Sequence, residues 1–264
     1  MSRIEATFAS LRSAGRLALM PYVTVGYPDV ATTVELVPAL VEAGADLVEL
    51  GVPFSDPLAD GVTIQRASHA ALAAGVTSQT CLEVAARIRA RTQAPIVLMG
   101  YYNPILRRGP AAYCRDAADA GVDGLIVPDL PPEEADELQD AARDSGLDVI
   151  FLLAPTSTDD RIRTVCQRTS GFVYCASLAG VTGARSSLAA GLAELTGRIR
   201  RHTGLPLAVG FGISRPEHVA EVGKVADGAI VGSAVIDRLE SLPTAERVAG
   251  TAAFVATLRA AADG

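Results

Sequence analysis

The amino-acid sequence predicts an α/β protein that folds as a single (β/α)₈ TIM barrel with an added N-terminal helix. Short apolar runs rich in valine, isoleucine and leucine alternate with longer stretches of helical periodicity, and eight such units follow one another. The runs are continuously apolar, as is typical of parallel strands buried on both faces. Three helix ends share a glycine followed two residues later by aspartate, within 43–46, 120–123 and 145–148. This repetition favours a closed barrel over an open doubly wound sheet.

The elements can be assigned in order along the chain. Residues 1–15 form an amphipathic helix, which we expect to pack on the barrel. The eight strands are predicted at 17–25, 47–51, 96–101, 124–128, 149–153, 172–177, 207–210 and 228–231. The helices are predicted at 31–43, 63–74, 78–91, 110–120, 132–145, 158–168, 188–202, 216–222 and 234–239, with a closing helix near 245–262. No linker or low-complexity segment interrupts them, so we expect one domain over residues 1–264.

Composition narrows the class of protein and its compartment. The chain has 264 residues, 49% of them hydrophobic, and a formal net charge of -7, which argues against nucleic acid or an anionic membrane as the main partner. Its four cysteines are far apart without paired spacing, which favours buried free thiols over disulfides and fits a reducing cytoplasm. The N-terminal stretch lacks the apolar core of a signal peptide, and no apolar run approaches membrane-spanning length. We therefore expect a cytoplasmic protein.

The segment 48–61, called here the acid loop, carries the strongest functional signal. Side chains alternate along a strand, so Glu49 points away from the face on which its two apolar neighbours pack under helices. A carboxylate placed there is unfavourable unless it is used or well paired. Glu49 and Asp60 can face one cavity as an acid/base pair. The alternative is structural: Asp60 caps the helix near Thr63, and Glu49 pairs with a buried arginine.

Glycines after the last two predicted strands indicate a phosphate site. The segments 210–212 and 232–233 follow strands seven and eight, where many barrels bind phosphate. Glycine lets backbone N–H groups approach an anion, and Ser233 can start a helix whose N-terminus favours negative charge. The segment 180–183 can add a third wall. The alternative is that these glycines serve turn geometry alone.

Several kinds of chemistry are excluded by the residues that the chain lacks. Its only lysine, Lys224, is predicted at the opposite end of the barrel from the loops, so a Schiff-base mechanism has no amine. The histidines fall in helical positions and do not form a metal-binding pattern, so we expect no metal. No motif indicates a binding site for a nicotinamide, flavin or pyridoxal cofactor, so we expect no cofactor. What remains is proton transfer on a phosphorylated small molecule.

These segments together resemble the tryptophan synthase alpha subunit family. The resemblance runs from about residue 21 to residue 233 and is carried by the whole acid loop, Pro128-Asp129, Tyr174, and the segments 180–183, 210–214 and 232–233. It implies cofactor-free cleavage of indole-3-glycerol phosphate to indole and glyceraldehyde 3-phosphate. It also implies a beta-subunit partner in an α₂β₂ heterotetramer, in which the beta subunit condenses indole with serine using its own pyridoxal phosphate.

The resemblance assigns roles to individual residues. Glu49 is implied to protonate the indole ring at C3 and to accept the proton of the glycerol hydroxyl. Asp60 is implied to bind the indole N–H and to stabilise its positive charge. The other implied positions are Tyr174 lining the cavity near Glu49, Thr182 and Gly183 in a loop that closes over the substrate, Gly212, Gly232 and Ser233 at the phosphate, and Asp56 facing the beta subunit.

Three further residues are candidates for an apolar bed under the indole ring: Tyr22, Met99 and Phe211. Each can equally be an ordinary core residue. Tyr22 stands where phenylalanine is expected in the family, and Val62 where many members carry proline. Asp129 either supports the cavity or only shapes its proline-rich turn.

Two competing functions are weaker on the same residues. A phosphoribosyl-type sugar isomerase would need an acid at the end of the first strand and another near the fifth. The chain offers Tyr22 and Thr24 at the first position and the segment 154–156 at the second, none of them acidic. A subunit that only binds ligand and activates a partner would not need both Glu49 and Asp60.

Overall fold

The computed structural model describes residues 1–176, 185–210 and 212–263, with the helical backbone alone for residues 185–190. Its strands form one parallel sheet in the spatial order β5-β4-β3-β2-β1-β9-β8-β7-β6. They are β1 (Ala18–Thr24), β2 (Val48–Gly51), β3 (Ile96–Met99), β4 (Gly124–Ile126), β5 (Asp148–Ile150), β6 (Leu152–Leu153), β7 (Val173–Ala176), β8 (Leu207–Gly210) and β9 (Gly228–Val231). Only Phe151 separates β5 from β6, so the two edges of the sheet meet in one chain segment. The predicted eight-stranded barrel is confirmed, with its fifth strand divided in two.

Helices surround the barrel between successive strands. They are α1 (Arg3–Ser13), α2 (Val30–Glu42), α3 (Val62–Ala73), α4 (Ser78–Arg89), α5 (Tyr102–Arg108), α6 (Pro110–Asp119), α7 (Asp136–Asp144), α8 (Asp159–Arg168), α9 (Arg185–Arg200), α10 (Pro216–Gly223), α11 (Ser233–Glu240) and α12 (Arg247–Ala262), with 3₁₀ turns at Pro132–Glu134 and Thr244–Glu246. Of the part of the chain described, no helix combines the length and apolar character that crossing a membrane requires.

Two local predictions differ from the structure. No helix was predicted between residues 101 and 110, but α5 forms there, and Asp129 accepts a hydrogen bond from the backbone N–H of its first residue, Tyr102, at 2.9 Å. Asp129 therefore anchors the start of α5. The helix expected over 132–145 begins as a 3₁₀ turn, and α7 itself begins only at Asp136.

The core has two layers separated by the strands. Val48 and Leu50 belong to the outer layer between strands and helices, whereas Leu47 lies inside the barrel, as the predicted alternation requires. Ile4, Phe8 and Leu11 of α1 belong to the inner layer. The helix α1 therefore closes the N-terminal end of the barrel, and the loops at the other end remain open to ligands.

The repeated Gly-x-Asp motif has a structural role at the closed end. Asp46 and Asp123 each accept a hydrogen bond from the first part of a neighbouring strand, from Leu19 N at 2.9 Å and from Ile96 N at 2.8 Å. The same aspartates pair with Arg259 at 2.7 Å and with an arginine of α4 at 2.7 Å. The motif thus links adjacent strands at the end of the barrel opposite the functional loops.

The four cysteines are buried and free, as predicted.

Candidate active site

The acid loop is held in one shape by contacts with α3 and with the end of β3. The hydroxyl of Ser68 accepts from the backbone N–H of Phe54 at 3.0 Å, and the Gln65 amide donates to the Asp60 carbonyl at 3.0 Å. On the β3 side, the Tyr101 hydroxyl accepts from Ala59 N at 2.9 Å. The Tyr101 ring also stacks on Phe54, with centroids 4.9 Å apart. These contacts place Asp60 at the mouth of the barrel.

Glu49 lies inside the barrel with its side chain fully buried. It is in register with Tyr22 on β1 and with Val97 on β3, so all three side chains face the interior. Neither carboxyl oxygen has a hydrogen-bond partner within the described ranges, which rules out the predicted alternative of a pairing with an arginine there. Burial raises the pKa of Glu49 to about 8. Glu49 therefore carries a proton at neutral pH and can donate it.

Asp60 is half-buried and has a lower pKa than Glu49. Burial raises the pKa of Asp60 to about 6, and a hydrogen bond with the Tyr101 hydroxyl opposes that rise. The alternative role of Asp60 as a helix cap is wrong, because the N-cap of α3 is Gly61 and no side chain caps it. At neutral pH the mouth therefore holds one neutral acid, Glu49, and one mainly ionised acid, Asp60. Two carboxyl groups whose pKa values differ in this way suit different roles in one reaction.

Inside the barrel, the hydroxyl groups of two buried tyrosines lie over glycines of the neighbouring strands. An ideal Cβ at Gly51 would lie 1.9 Å from the Tyr22 hydroxyl oxygen, and one at Gly210 would lie 2.1 Å from the Tyr174 hydroxyl oxygen. A side chain at either glycine would displace a tyrosine. Gly210, which the sequence assigned to the phosphate site, therefore serves to admit Tyr174. Burial, reinforced by the nearby Glu49 carboxyl, raises the pKa of the Tyr174 hydroxyl.

An apolar wall lies between Tyr22 and the helices outside the barrel. Tyr22, Ala67 of α3 and Ile236 of α11 form a buried cluster against which Ile64 and Met99 pack. Met99 also packs against the inner barrel layer, so it lies between that layer and the Tyr22 cluster. Ile64 and Tyr101 were not among the site residues predicted from the sequence. The sequence does contain signals for both residues. Ile64 lies in the first turn of the helix predicted after the acid loop, and Tyr101 is the last residue of a predicted strand.

Two of the predicted phosphate residues, Gly232 and Ser233, lie where α11 begins. Gly232 is the N-cap of α11, and Ser233, which is exposed, is its first residue; as a glycine, the N-cap has no side chain with which to cap the helix. The first N–H groups of such a helix are free to bind an anion. Gly212 is exposed and has a φ of 75°, a left-handed conformation that favours glycine. The remaining predicted residues of this region, Thr182, Gly183 and Phe211, lie outside the described residues.

A cavity of about 470 Å³ opens at the same end of the barrel. Its lining includes Ala59 of the acid loop, Leu152 of β6 and Ala176 of β7, together with Asp129. The lining is mainly apolar, and it includes neither Glu49 nor Asp60, so the cavity adjoins the acid loop at Ala59 without enclosing the two acids. In the segments that the structure covers, no group of three or more His, Cys, Asp or Glu side chains is arranged to hold a metal ion.

The acid loop also presents exposed side chains on its outer surface. Asp56 is exposed, and Leu58 beside it has 93% of its surface in contact with solvent. Leu106 of α5, at the same end of the barrel, is 52% exposed. Each of these two leucine side chains is apolar surface that a partner protein can bury.

Comparison with known proteins points to one family. Residues 8–262 match the family model described as tryptophan synthase alpha chain. The tryptophan synthase alpha chain of Chloroflexus aurantiacus is 57% identical over 262 residues, which cover 99% of this chain and 98% of the relative. That of Roseiflexus castenholzii is 59% identical over 260 residues, which cover 98% of this chain and all of the relative.

Solved structures agree with the sequence relatives. A structure of Mycobacterium tuberculosis tryptophan synthase in space group F222 superposes with a TM-score of 0.91 at 42% identity, covering 100% of this chain and 99% of the other. The tryptophan synthase subunit alpha of Legionella pneumophila superposes with a TM-score of 0.90 at 38% identity, with the same coverage.

The buried Glu49 predicts an unusual dependence of stability on pH. The unfolded chain binds a proton at Glu49 only below a pKa near 4.5, whereas the folded protein keeps that proton up to about pH 8. The free energy of unfolding of the wild type should therefore fall, relative to Glu49→Gln, as the pH rises between these values. We expect a relative change of at least ~2 kcal/mol between about pH 4 and about pH 9, measured by urea unfolding. A difference that is constant over this range would contradict the neutral, buried carboxyl. Glu83→Gln, which removes an exposed carboxylate, is the control.

Proposed function

The chain belongs to the tryptophan synthase alpha chain family, and we propose that Glu49 and Asp60 are the residues with which it cleaves indole-3-glycerol phosphate to indole and glyceraldehyde 3-phosphate. This is the lyase step that family members carry out in tryptophan biosynthesis. The observation that carries the proposal is a buried Glu49 that has a raised pKa and no hydrogen-bond partner among the described residues, facing the same barrel mouth as Asp60. The start of α11 supplies an anion site at that mouth.

The two acids act at different atoms of the substrate. Glu49 donates its proton to C3 of the indole ring, which leaves a positive charge centred on the ring nitrogen. The Asp60 carboxylate accepts a hydrogen bond from the ring N–H and stabilises that charge. Glu49, now ionised, takes the proton of the hydroxyl on the carbon bonded to C3. The C–C bond then breaks, its electrons return to the ring, and the hydroxyl oxygen becomes the aldehyde oxygen.

The raised pKa of Glu49 fits both of its steps. A carboxyl group with a pKa near 8 is protonated in the resting enzyme and is a stronger base than an ordinary carboxylate once ionised. The protonated ring is the electron sink, so the reaction needs neither a metal nor an amine nucleophile. Tyr174 lies next to Glu49, and Tyr22 and Met99 form the apolar side of the pocket for the ring.

The phosphate and the partner occupy the rest of the mouth. Gly212, Gly232 and Ser233 bind the substrate phosphate through backbone N–H groups and the positive end of α11. Asp56 and Leu58 form the contact with a tryptophan synthase beta subunit in an α₂β₂ heterotetramer. The nearly complete exposure of Leu58 supports this contact, because burying that side chain against a partner is favourable.

Replacing Glu49 by glutamine should abolish cleavage while leaving substrate bound. Glutamine keeps the shape of the side chain but cannot exchange a proton, so indole release should fall by about 10²–10⁴-fold. Indole release is measured for wild type, Glu49→Gln and the control Glu83→Gln, each with and without a beta subunit. Loss of substrate binding in Glu49→Gln, with unchanged turnover of bound substrate, would refute the acid/base role. Binding by wild type without indole release, even with the partner, would instead indicate a subunit that only binds ligand.

Replacing Gly212 by aspartate should weaken substrate binding. The new carboxylate repels the phosphate, and its bulk fills the space that the anion needs, so we expect a dissociation constant at least about tenfold higher. Gly146→Asp is a matched control, because Gly146 has a φ of 73° and lies before β5 at the opposite end of the barrel. Equal affinity of wild type and Gly212→Asp by calorimetry would remove Gly212 from the phosphate site.

Replacing Leu58 by aspartate should weaken association with the beta subunit. A buried charge in place of an apolar contact raises the dissociation constant by about tenfold or more. Calorimetric titration with the beta subunit measures this effect. Ala253→Asp, on the exposed side of α12, controls for the added charge. If both variants bind the partner as wild type does, Leu58 lies outside the interface.

A further inference from the structure

The Tyr22 side chain spans the two ends of the proposed site. At its base, the Tyr22 Cβ lies 3.7 Å from where a Cβ of Gly232 would be, next to the start of α11. At its tip, the hydroxyl lies over Gly51, so close that any side chain at Gly51 would collide with it. Tyr22 is in register with Glu49 on the neighbouring strand. Its ring therefore runs from the phosphate end of the site to the carboxyl end.

The Tyr22 hydroxyl has a proton to donate. Within the described ranges, the one hydrogen bond to this oxygen comes from the Thr24 hydroxyl, at 3.4 Å, so Tyr22 is the acceptor in it. Tyr22 is only 6% exposed, and both oxygens of the neighbouring Glu49 are also without partners there. A buried donor left unused is unfavourable. Two such groups on adjacent strands therefore indicate a polar ligand atom that both can reach.

The inference rests on the proposed function, in which the substrate phosphate lies at α11 and the indole ring lies beside Glu49 and Asp60. The three-carbon chain between phosphate and ring must then pass along Tyr22. We propose that the Tyr22 hydroxyl donates a hydrogen bond to the substrate oxygen on the carbon bonded to the ring, the oxygen whose proton Glu49 removes.

The role follows from the charge on that oxygen during the reaction. As Glu49 takes the proton and the C–C bond breaks, negative charge grows on the oxygen until the aldehyde carbonyl has formed. A donor already in place stabilises this charge without rearrangement. Tyr22 keeps its proton throughout, so the atoms balance without it. Phenylalanine at this position would fill the same space and lack the donor, which makes Tyr22 a residue that recognises the hydroxyl.

The experiment pairs a side-chain deletion with a ligand deletion. Two ligands are compared in the Glu49→Gln background, where no turnover occurs: indole-3-glycerol phosphate, and its analogue with CH₂ in place of the CH–OH next to the ring. Tyr22→Phe should weaken binding of the hydroxylated ligand by about tenfold and leave binding of the analogue nearly unchanged. In the active enzyme, Tyr22→Phe should lower kcat by about tenfold or more, because the bond is stronger in the transition state.

The alternatives give different results. Equal weakening of both ligands, or of neither, would show that Tyr22 acts by packing alone and would overturn the inference. Failure of both ligands to bind before Tyr22 is changed would instead refute the proposed function, and the inference with it. Tyr113→Phe is the matched control, since Tyr113 is also a buried tyrosine but belongs to the outer core layer. It should change neither affinity nor kcat.

Discussion

The burial of Glu49 is the constraint on which the rest of this barrel depends. The Glu49 carboxyl lies in an apolar interior and has no partner among the described residues, so it loses its hydration and its pKa rises to about 8. Because this burial destabilises the fold above the pKa of an ordinary glutamate, the stability must come from elsewhere in the molecule. The inner barrel layer supplies apolar burial around the site, and its N-terminal end is closed by Ile4, Phe8 and Leu11 of α1.

The two ends of the barrel have different roles: one stabilises the fold and the other carries the proposed site. At the closed end, Asp46, Asp123 and Asp227 each bind the backbone of a neighbouring strand, and each also pairs with an arginine. These contacts set the register of adjacent strands. Register in turn decides that Tyr22 stands beside Glu49 at the open end. The rigid end therefore positions the residues that act at the other end.

The two halves of the proposed site are joined through α3 and α11. The acid loop leads into α3, and the proposed phosphate site is the start of α11. Thr63 donates to Asp237 at 3.2 Å, and Arg66 forms an ion pair with Glu240, so the two helices are connected side by side. Tyr27 of the first loop donates to the same Glu240 carboxylate. The carboxyl end and the phosphate end thus share one support.

Periodicity and composition were sufficient to determine the barrel, the inward direction of Glu49, the acid loop and the helix start at Ser233, because these depend on local pattern and chain order. Other features needed the tertiary structure. The pairing partner of Glu49 was undecided in the sequence, since an arginine distant along the chain could have reached it. The spacing of Gly210 predicts a phosphate glycine, and only the tertiary structure shows that Tyr174 lies over it. Tyr101, Ile64 and the hydroxyl of Tyr22 acquire their places only when strands and helices distant in sequence come together, and spacing along a chain carries no measure of such contacts.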